Sequence, residues 1–258
     1  LEYSTVILFV SPHLDDIALS CGGLAHRLAA KGQRVVVATV CTADRPAGQA
    51  LSATAQHVHW EWQLGDDQPY AIRRAEDHAG CKVLGAEPIH LGLLDAIYRH
   101  DDAGQPLYHP DTFMGGQVAE HDWQHFFPAL KAVLRPLIRS AQRVYAPLSI
   151  GGHVDHVLAR QAVEETAENA QVAFYEDYPY AGKTDWQNSG VRMGLAPATL
   201  PLTGAEIETR ILAISQYPSQ MFALFEQAET MPAKVGHYVG QAGGEKYWLP
   251  IDAFRPDE

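Results

Sequence analysis

Cysteine is scarce and scattered. The 258 residues contain three, Cys21, Cys41 and Cys81, with no CxxC pair among them. They lie in apolar stretches such as IALSC and VVVATVC, too few for a disulfide framework, so a reducing compartment, the cytoplasm, is the expectation. Basic charge is also in short supply: 19 Lys and Arg stand against 31 Asp and Glu, a formal charge of −12 with histidines neutral. A surface of that sign argues against nucleic acid as a partner, because affinity for phosphate backbones comes from clustered Lys and Arg. Long apolar runs are missing. The first one, Thr5 to Val10, leads directly into Pro12, His13, Asp15 and Asp16 with no small-residue cleavage site, so neither a signal peptide nor a membrane association is expected. No GxGxxG follows that run, and Gly22-Gly23 is only a fragment of one, which removes a nicotinamide reading.

What is present is an ordinary globular balance, 47% apolar and 19% charged, which excludes disorder and collagen-like repetition. Val6 to Val10 is a continuous apolar run rich in β-favouring residues, the pattern of a strand buried on both faces. Ile17, Leu19, Leu24, Leu28 and Ala29 then recur at near-helical spacing until Gly32, and RVVVATV over Arg34 to Val40 makes a second buried strand. This is a βαβ unit with a right-handed crossover. Further on, the spacing predicts helices over Tyr70 to Leu84, Trp123 to Ala141, Val154 to Asn169 and Gly204 to Glu226, with strands over Pro88 to Leu91, Arg143 to Pro147 and Gln171 to Tyr175. Residues 42–68 and 101–121 are polar and turn-rich and read as loop insertions; the part after Glu176 is less regular. The expected architecture is a single α/β domain over residues 1–258, a doubly wound and mostly parallel sheet with helices on both faces, Rossmann-like.

Two segments carry chemistry. Ser11-Pro12-His13-Leu14-Asp15-Asp16 lies where the first strand gives way to a helix, the carboxyl edge at which open α/β sheets bind ligands. One imidazole and two carboxylates there can share the work of holding a metal and facing its water; the plainer alternative is that Asp15 and Asp16 cap the helix. Gly151-Gly152-His153-Val154-Asp155-His156 follows another strand, and a helix beginning near His153 puts His153 and His156 on one face. Both segments fall on the same edge of one sheet. Together they supply His, Asp and His for a three-ligand zinc site with open positions for water and substrate.

PHLDDIALSCGG and GGHVDHVLAR resemble the paired signatures of the LmbE-like, or PIG-L-type, zinc N-deacetylases, which remove acetyl groups from N-acetylglucosamine-type conjugates. The resemblance extends from about Val6 to about Tyr247. It includes Arg73-Arg74-Ala75-Glu76, Val83-Leu84-Gly85, His90 to Asp95, Tyr175 to Tyr180 and Tyr217 to Gln220. It implies His13, Asp16 and His156 as metal ligands and Asp15 as general base, with His153 stabilising the oxyanion or assisting the leaving amine and Asp155 orienting it. Arg73 and Asp95 are placed near the sugar. The implied cofactor is Zn2+, other divalent ions such as Fe2+ being compatible with the same ligands. The implied partner is a small amino-sugar conjugate, and a homo-oligomer is left open. The chain departs from the family's commonest form at Leu14, where Pro is usual, and at Ile17, where Glu is usual. Neither position is a ligand.

The motifs do not choose between Asp15 and His153 as the proton donor to the departing amine, nor do they specify the acyl group. A zinc amidase acting on another N-acyl conjugate, and a non-catalytic carbohydrate-binding member of the fold, are the competing readings. His57 and His59 have no strand-end context, and Trp60, Trp62, Tyr98, Tyr108 and Phe113 are expected chiefly to pack the loops against the core.

Overall fold

The computed structural model describes residues 6–65, 68–167, 171–182 and 191–251. Strand β1 (Val6–Ser11) is buried almost end to end, and its alternation sends Ile7 and Phe9 to one side of the sheet and Leu8 and Val10 to the other. Helix α1 (Asp16–Ala30) returns the chain to β2 (Arg34–Cys41), which pairs with β1 in parallel. Then follow α2 (Ala53–Glu61), α3 (Pro69–Leu84), β3 (Glu87–Leu93), α4 (Glu120–Gln124), α5 (Phe126–Ser140) and β4 (Ala141–Pro147). After α6 (Val154–Thr166) and β5 (Gln171–Tyr175), the chain closes with β6 (Leu195–Leu200), α7 (Gly204–Ile214), α8 (Met221–Phe225), α9 (Met231–Ala242) and β7 (Glu245–Pro250).

The sheet order is β3-β2-β1-β4-β5-β7-β6. β1 to β5 are parallel, and β7 and β6 continue the sheet antiparallel. The α/β, mostly parallel architecture therefore agrees with the expectation. One face packs on α1, α7 and α9 through residues such as Leu24, Leu28, Ile214 and Val239. The other packs on α5 and α6 through Leu130, Leu134, Leu158 and Val163.

Four local expectations are corrected. The 42–68 segment contains α2, capped by the Ser52 hydroxyl, which accepts from the Ala55 N–H at 3.0 Å. Its buried side is Thr54, Ala55, Val58 and His59, a set without the apolar periodicity that signals a helix. The helix expected over Trp123 to Ala141 is two helices meeting at His125, and residues from Ala141 already belong to β4. The helix expected to reach Glu226 stops at Ile214, where the chain turns before Pro218, and α8 is a separate short helix. The less regular second half also contains β6, α9 and β7. The expected end of α6 at Asn169 lies outside the described residues.

Packing beside an internal break in α1 accounts for Gly23. Cys21 leaves helical geometry (φ −146°), and the Gly23 and Leu24 N–H groups donate to the buried Glu245 carboxylate at 2.8 and 2.9 Å. A Cβ on Gly23 would lie 2.6 Å from the Leu202 side chain. Arg210, itself buried, completes this clamp at 3.3 Å from Glu245. Cys21, Cys41 and Cys81 are all buried and free.

Candidate active site

β1 and β4 are neighbours in the sheet, while the chain leaves β1 towards β2 on one side and β4 towards β5 on the other. This is the switch point at which a crevice opens beyond the strand ends. The segment after β1 brings His13, Asp15 and Asp16 to it, and the loop from β4 into α6 brings His153, Asp155 and His156. A pocket of about 450 Å3 lies there, lined by all of these except Asp155.

Neither aspartate of the first segment acts as a cap. Asp15 occupies the N-cap position of α1 without a side-chain hydrogen bond to the helix, and Asp16 turns back to accept the His13 N–H at 2.7 Å. Asp15 has φ +149°, a region that non-glycine residues rarely adopt and that costs on the order of 1–3 kcal/mol. Its N–H donates to the His13 carbonyl at 3.1 Å, so a tight turn holds that strained carboxylate at the pocket wall. Leu14 and Ile17, the two departures from the commoner pattern, are buried in apolar clusters and do not line the pocket.

Two imidazole nitrogens and the two oxygens of one carboxylate converge. His13 Nδ1 is 3.5 Å from Asp16 Oδ2, His156 Nε2 is 3.5 Å from Asp16 Oδ1, and the two imidazole nitrogens are 3.3 Å apart. Ligands about 2.0–2.1 Å from a tetrahedral Zn2+ sit about 3.3 Å from one another, so these separations match one face of such a site. The other nitrogen of each ring identifies its tautomer. His13 Nε2–H donates to Asp155 Oδ2 at 3.1 Å, and His156 Nδ1–H donates to Asp177 Oδ1 at 2.6 Å. Two imidazole lone pairs and a carboxylate therefore face one another, an arrangement that is repulsive unless a cation lies among them.

Charge points the same way. Burial opposes protonation of both rings, yet Asp155, Asp16 and Asp95 raise His13, and Asp16 and Asp177 raise His156. Burial likewise opposes the charge on Asp16, and His156 and His13 outweigh it to hold its carboxyl at about 2. The cluster of carboxylates thus requires positive charge, and the residues present fit a divalent metal.

The family profile described as GlcNAc-PI de-N-acetylase (PIG-L) matches residues 8–167. The chain belongs to the PIG-L family. The 2'-N-acetylparomamine deacetylase of Streptomyces fradiae is 30% identical to it, covering 95% of this chain and 90% of the relative. The 2'-N-acetylparomamine deacetylase of Niallia circulans is 27% identical, covering 94% and 90%. The crystal structure of the zinc inhibited form of teicoplanin deacetylase Orf2 superposes with a TM-score of 0.80 at 27% identity, covering 96% of this chain and all of that one.

Among PIG-L residues expected at the site, Asp155 is turned mainly to His13 and to Arg99, which approaches its other oxygen at 2.5 Å; His153 Nδ1 is 3.9 Å away. The Asp155 backbone N–H donates to His153 Nδ1 at 3.2 Å, which leaves the His153 proton on Nε2. Burial and then the neighbouring His13 hold His153 well below its ordinary value, which favours its neutral form. Arg73 and Asp95 both line the pocket. Arg73 is 2% exposed, 3.7 Å from Asp15 and stacked over Trp62 at 4.3 Å. Asp95 accepts from the Tyr70 hydroxyl at 2.5 Å and lies 3.6 Å from His13 Nε2.

Several supporting groups were not singled out in the sequence: Asp177, Arg99 and Tyr70. Asp177 had a usable signal, since it follows β5 by two residues on the same sheet edge. The Asp177→Asn variant is expected to weaken metal affinity 10–100-fold with the fold retained, read by titration with a competing chelator. The 101–121 loop also reaches the site. Its Gly116 N–H donates to the Gly152 carbonyl at 2.6 Å, and a Cβ on Gly152 (φ +68°) would come within 2.7 Å of that nitrogen. Phe113 from this loop packs edge-on against His153 at 5.4 Å. Trp62, Tyr98 and Tyr108 are buried as expected, whereas Trp60 is exposed. His59 bonds the Tyr98 hydroxyl at 2.6 Å. His13 also forms a second candidate ligand group with His153 and Asp155, and a third, Asp102, His121 and His125, lies towards the surface with none of its members lining the pocket.

Proposed function

We propose that this chain is a zinc-dependent N-deacetylase, hydrolysing the acetamide of an N-acetylated amino sugar or its conjugate to acetate and a free amine. The observation that carries this reading is the ligand triangle of His13, Asp16 and His156 with Asp15 beside it in one pocket. Deacetylase relatives that cover nearly the whole chain support it. When bound, the ion polarises the amide carbonyl and brings the pKa of water from 15.7 towards about 7.

The remaining work belongs to the side chains. Asp15 accepts the proton of the attacking water. Burial lifts its carboxyl to about 7, against the opposing pull of Arg73, which suits a group that must take up a proton and release it again within one turnover. His153 offers its Nε2–H to the developing oxyanion. Because the neutral form of His153 is favoured, the proton delivered to the leaving amine is assigned to Asp15. Asp155 and Asp177 fix the His13 and His156 tautomers, and Arg73 and Asp95 hold Asp15 and His13 in place. One sheet running from β1 to β7 supports reading the chain as one catalytic unit. The three buried free thiols support a reducing, cytoplasmic setting; among the described residues no helix is long and apolar enough to cross a membrane.

The test is release of acetate and amine across a panel of N-acetylated amino sugars by protein of known metal content. Turnover of a different N-acyl group, with none of the acetylated sugars, overturns the acetyl assignment. Within the same assay, His153→Ala is expected to lower kcat roughly 10²–10³-fold at unchanged metal content, the usual loss for one oxyanion donor.

A further inference from the structure

Much of the pocket lining is apolar, including Val58, Trp62, Met114, Ala223 and Leu224. The charge lining the pocket is lopsided: four carboxylates, Asp15, Asp16, Glu61 and Asp95, against a single Lys or Arg, Arg73. Three of the four carboxylates are engaged. Asp15 faces Arg73, Asp16 belongs to the ligand triangle, and Asp95 accepts from Tyr70 and from the Ile97 N–H at 3.0 Å.

Glu61 is different. It is the last residue of α2, its side chain is 36% exposed, and it faces the His57 imidazole one turn earlier at 3.6 Å. That separation exceeds a hydrogen bond. The hydroxyl of Tyr180, which also lines the pocket, is pushed up by burial first and then by the field of surrounding carboxylates, Glu61 among them. A carboxylate in a pocket lining with many apolar groups repels anions and attracts a compact cation, and the chain's formal charge of −12 adds long-range attraction of the same sign.

We propose that Glu61 receives an ammonium group of the substrate, so that the enzyme selects amino-sugar conjugates carrying a free basic amine besides the acetamide and disfavours neutral or anionic ones. This inference rests on the deacetylase reading. It adds a specificity residue outside the metal motifs, on a helix whose sequence carries no catalytic signature.

The experiment compares two substrates with one scaffold: a diaminodisaccharide with one acetamide and one free ammonium, and the same disaccharide acetylated on both nitrogens. Wild type is expected to favour the cationic substrate about tenfold in kcat/KM at low salt, with the preference shrinking at about 0.5 M salt. Glu61→Gln is expected to cut the ratio about tenfold, through KM rather than kcat, and Glu61→Lys to reverse it. Calorimetric titration with the fully deacetylated diamine gives a reading independent of turnover, about tenfold tighter on wild type than on Glu61→Gln. Equal ratios and equal binding in the two proteins overturn the role of Glu61 while leaving deacetylation in place. No acetate from any acetylated sugar overturns the deacetylase reading and this inference with it.

Discussion

Replacing Asp16 with alanine is expected to remove the bound metal and, with it, turnover. Asp16 is the one anionic member of the triangle, at 3.5 Å from each imidazole donor. Without it, two neutral rings remain, whose lone pairs meet at 3.3 Å. A divalent ion then has two ligands rather than three and no local counter-charge. The loss should exceed the 10–100-fold that a supporting carboxylate is worth, because a ligand itself is deleted. Asp16 also accepts the His13 N–H at 2.7 Å, so Asp16→Asn, which keeps an acceptor there, separates ligation from loop geometry. Elemental analysis of both variants should show far less than one metal per chain, with acetate release falling in step. His121→Ala, in the outlying histidine group, should change neither quantity. Full metal content and turnover in Asp16→Ala would falsify the assigned ligand set.

How much of this was legible beforehand follows from what is local in the chain. Val6 to Ser11 and Arg34 to Cys41 declare themselves because a strand buried on both faces must be apolar at successive positions. His13, Asp16 and His156 are equally visible, since the first two follow β1 directly and the third opens the helix after β4, at the edge where open α/β sheets bind ligands. Groups defined by distant partners are harder to see. Asp177 has only its place just after β5 as a signal, its bond to His156 spanning 21 residues, and Glu245, which satisfies the Gly23 N–H across 222, has none. β7 inserts between β5 and β6 and pairs antiparallel with both, a placement fixed by packing rather than by any pattern in EKYWLP. Arg73 and Asp95 show the same limit. A family resemblance sets them near the site, but only the fold reveals that Trp62 and Tyr70 close over Arg73 and that Tyr70 occupies Asp95.

Asp15→Asn should separate metal binding from catalysis. Asp15 lies outside the ligand triangle, and asparagine is nearly isosteric, so the variant is expected to hold its metal and keep the strained turn at φ +149°. What it loses is a group able to accept a proton, and kcat should fall roughly 10²–10⁴-fold, the range general acid–base groups supply. The sign of the pH dependence follows from the proposed role. A base works only when ionised, so wild-type activity should decline as the pH falls through the range in which Asp15 takes up its proton. Burial, opposed by Arg73 at 3.7 Å, lifts that range to about 7, and a cation at the triangle would draw it down. Arg73→Met removes one of the two positive neighbours and should shift the acid limb of kcat/KM to higher pH, whereas Arg73→Lys should largely preserve it. A merely structural Arg73 would lower activity at every pH and leave the limb where it was. In Asp15→Asn the residual rate should lose that limb altogether. Wild-type turnover in this variant would take the proton transfer away from Asp15 and leave the metal site without its proposed base.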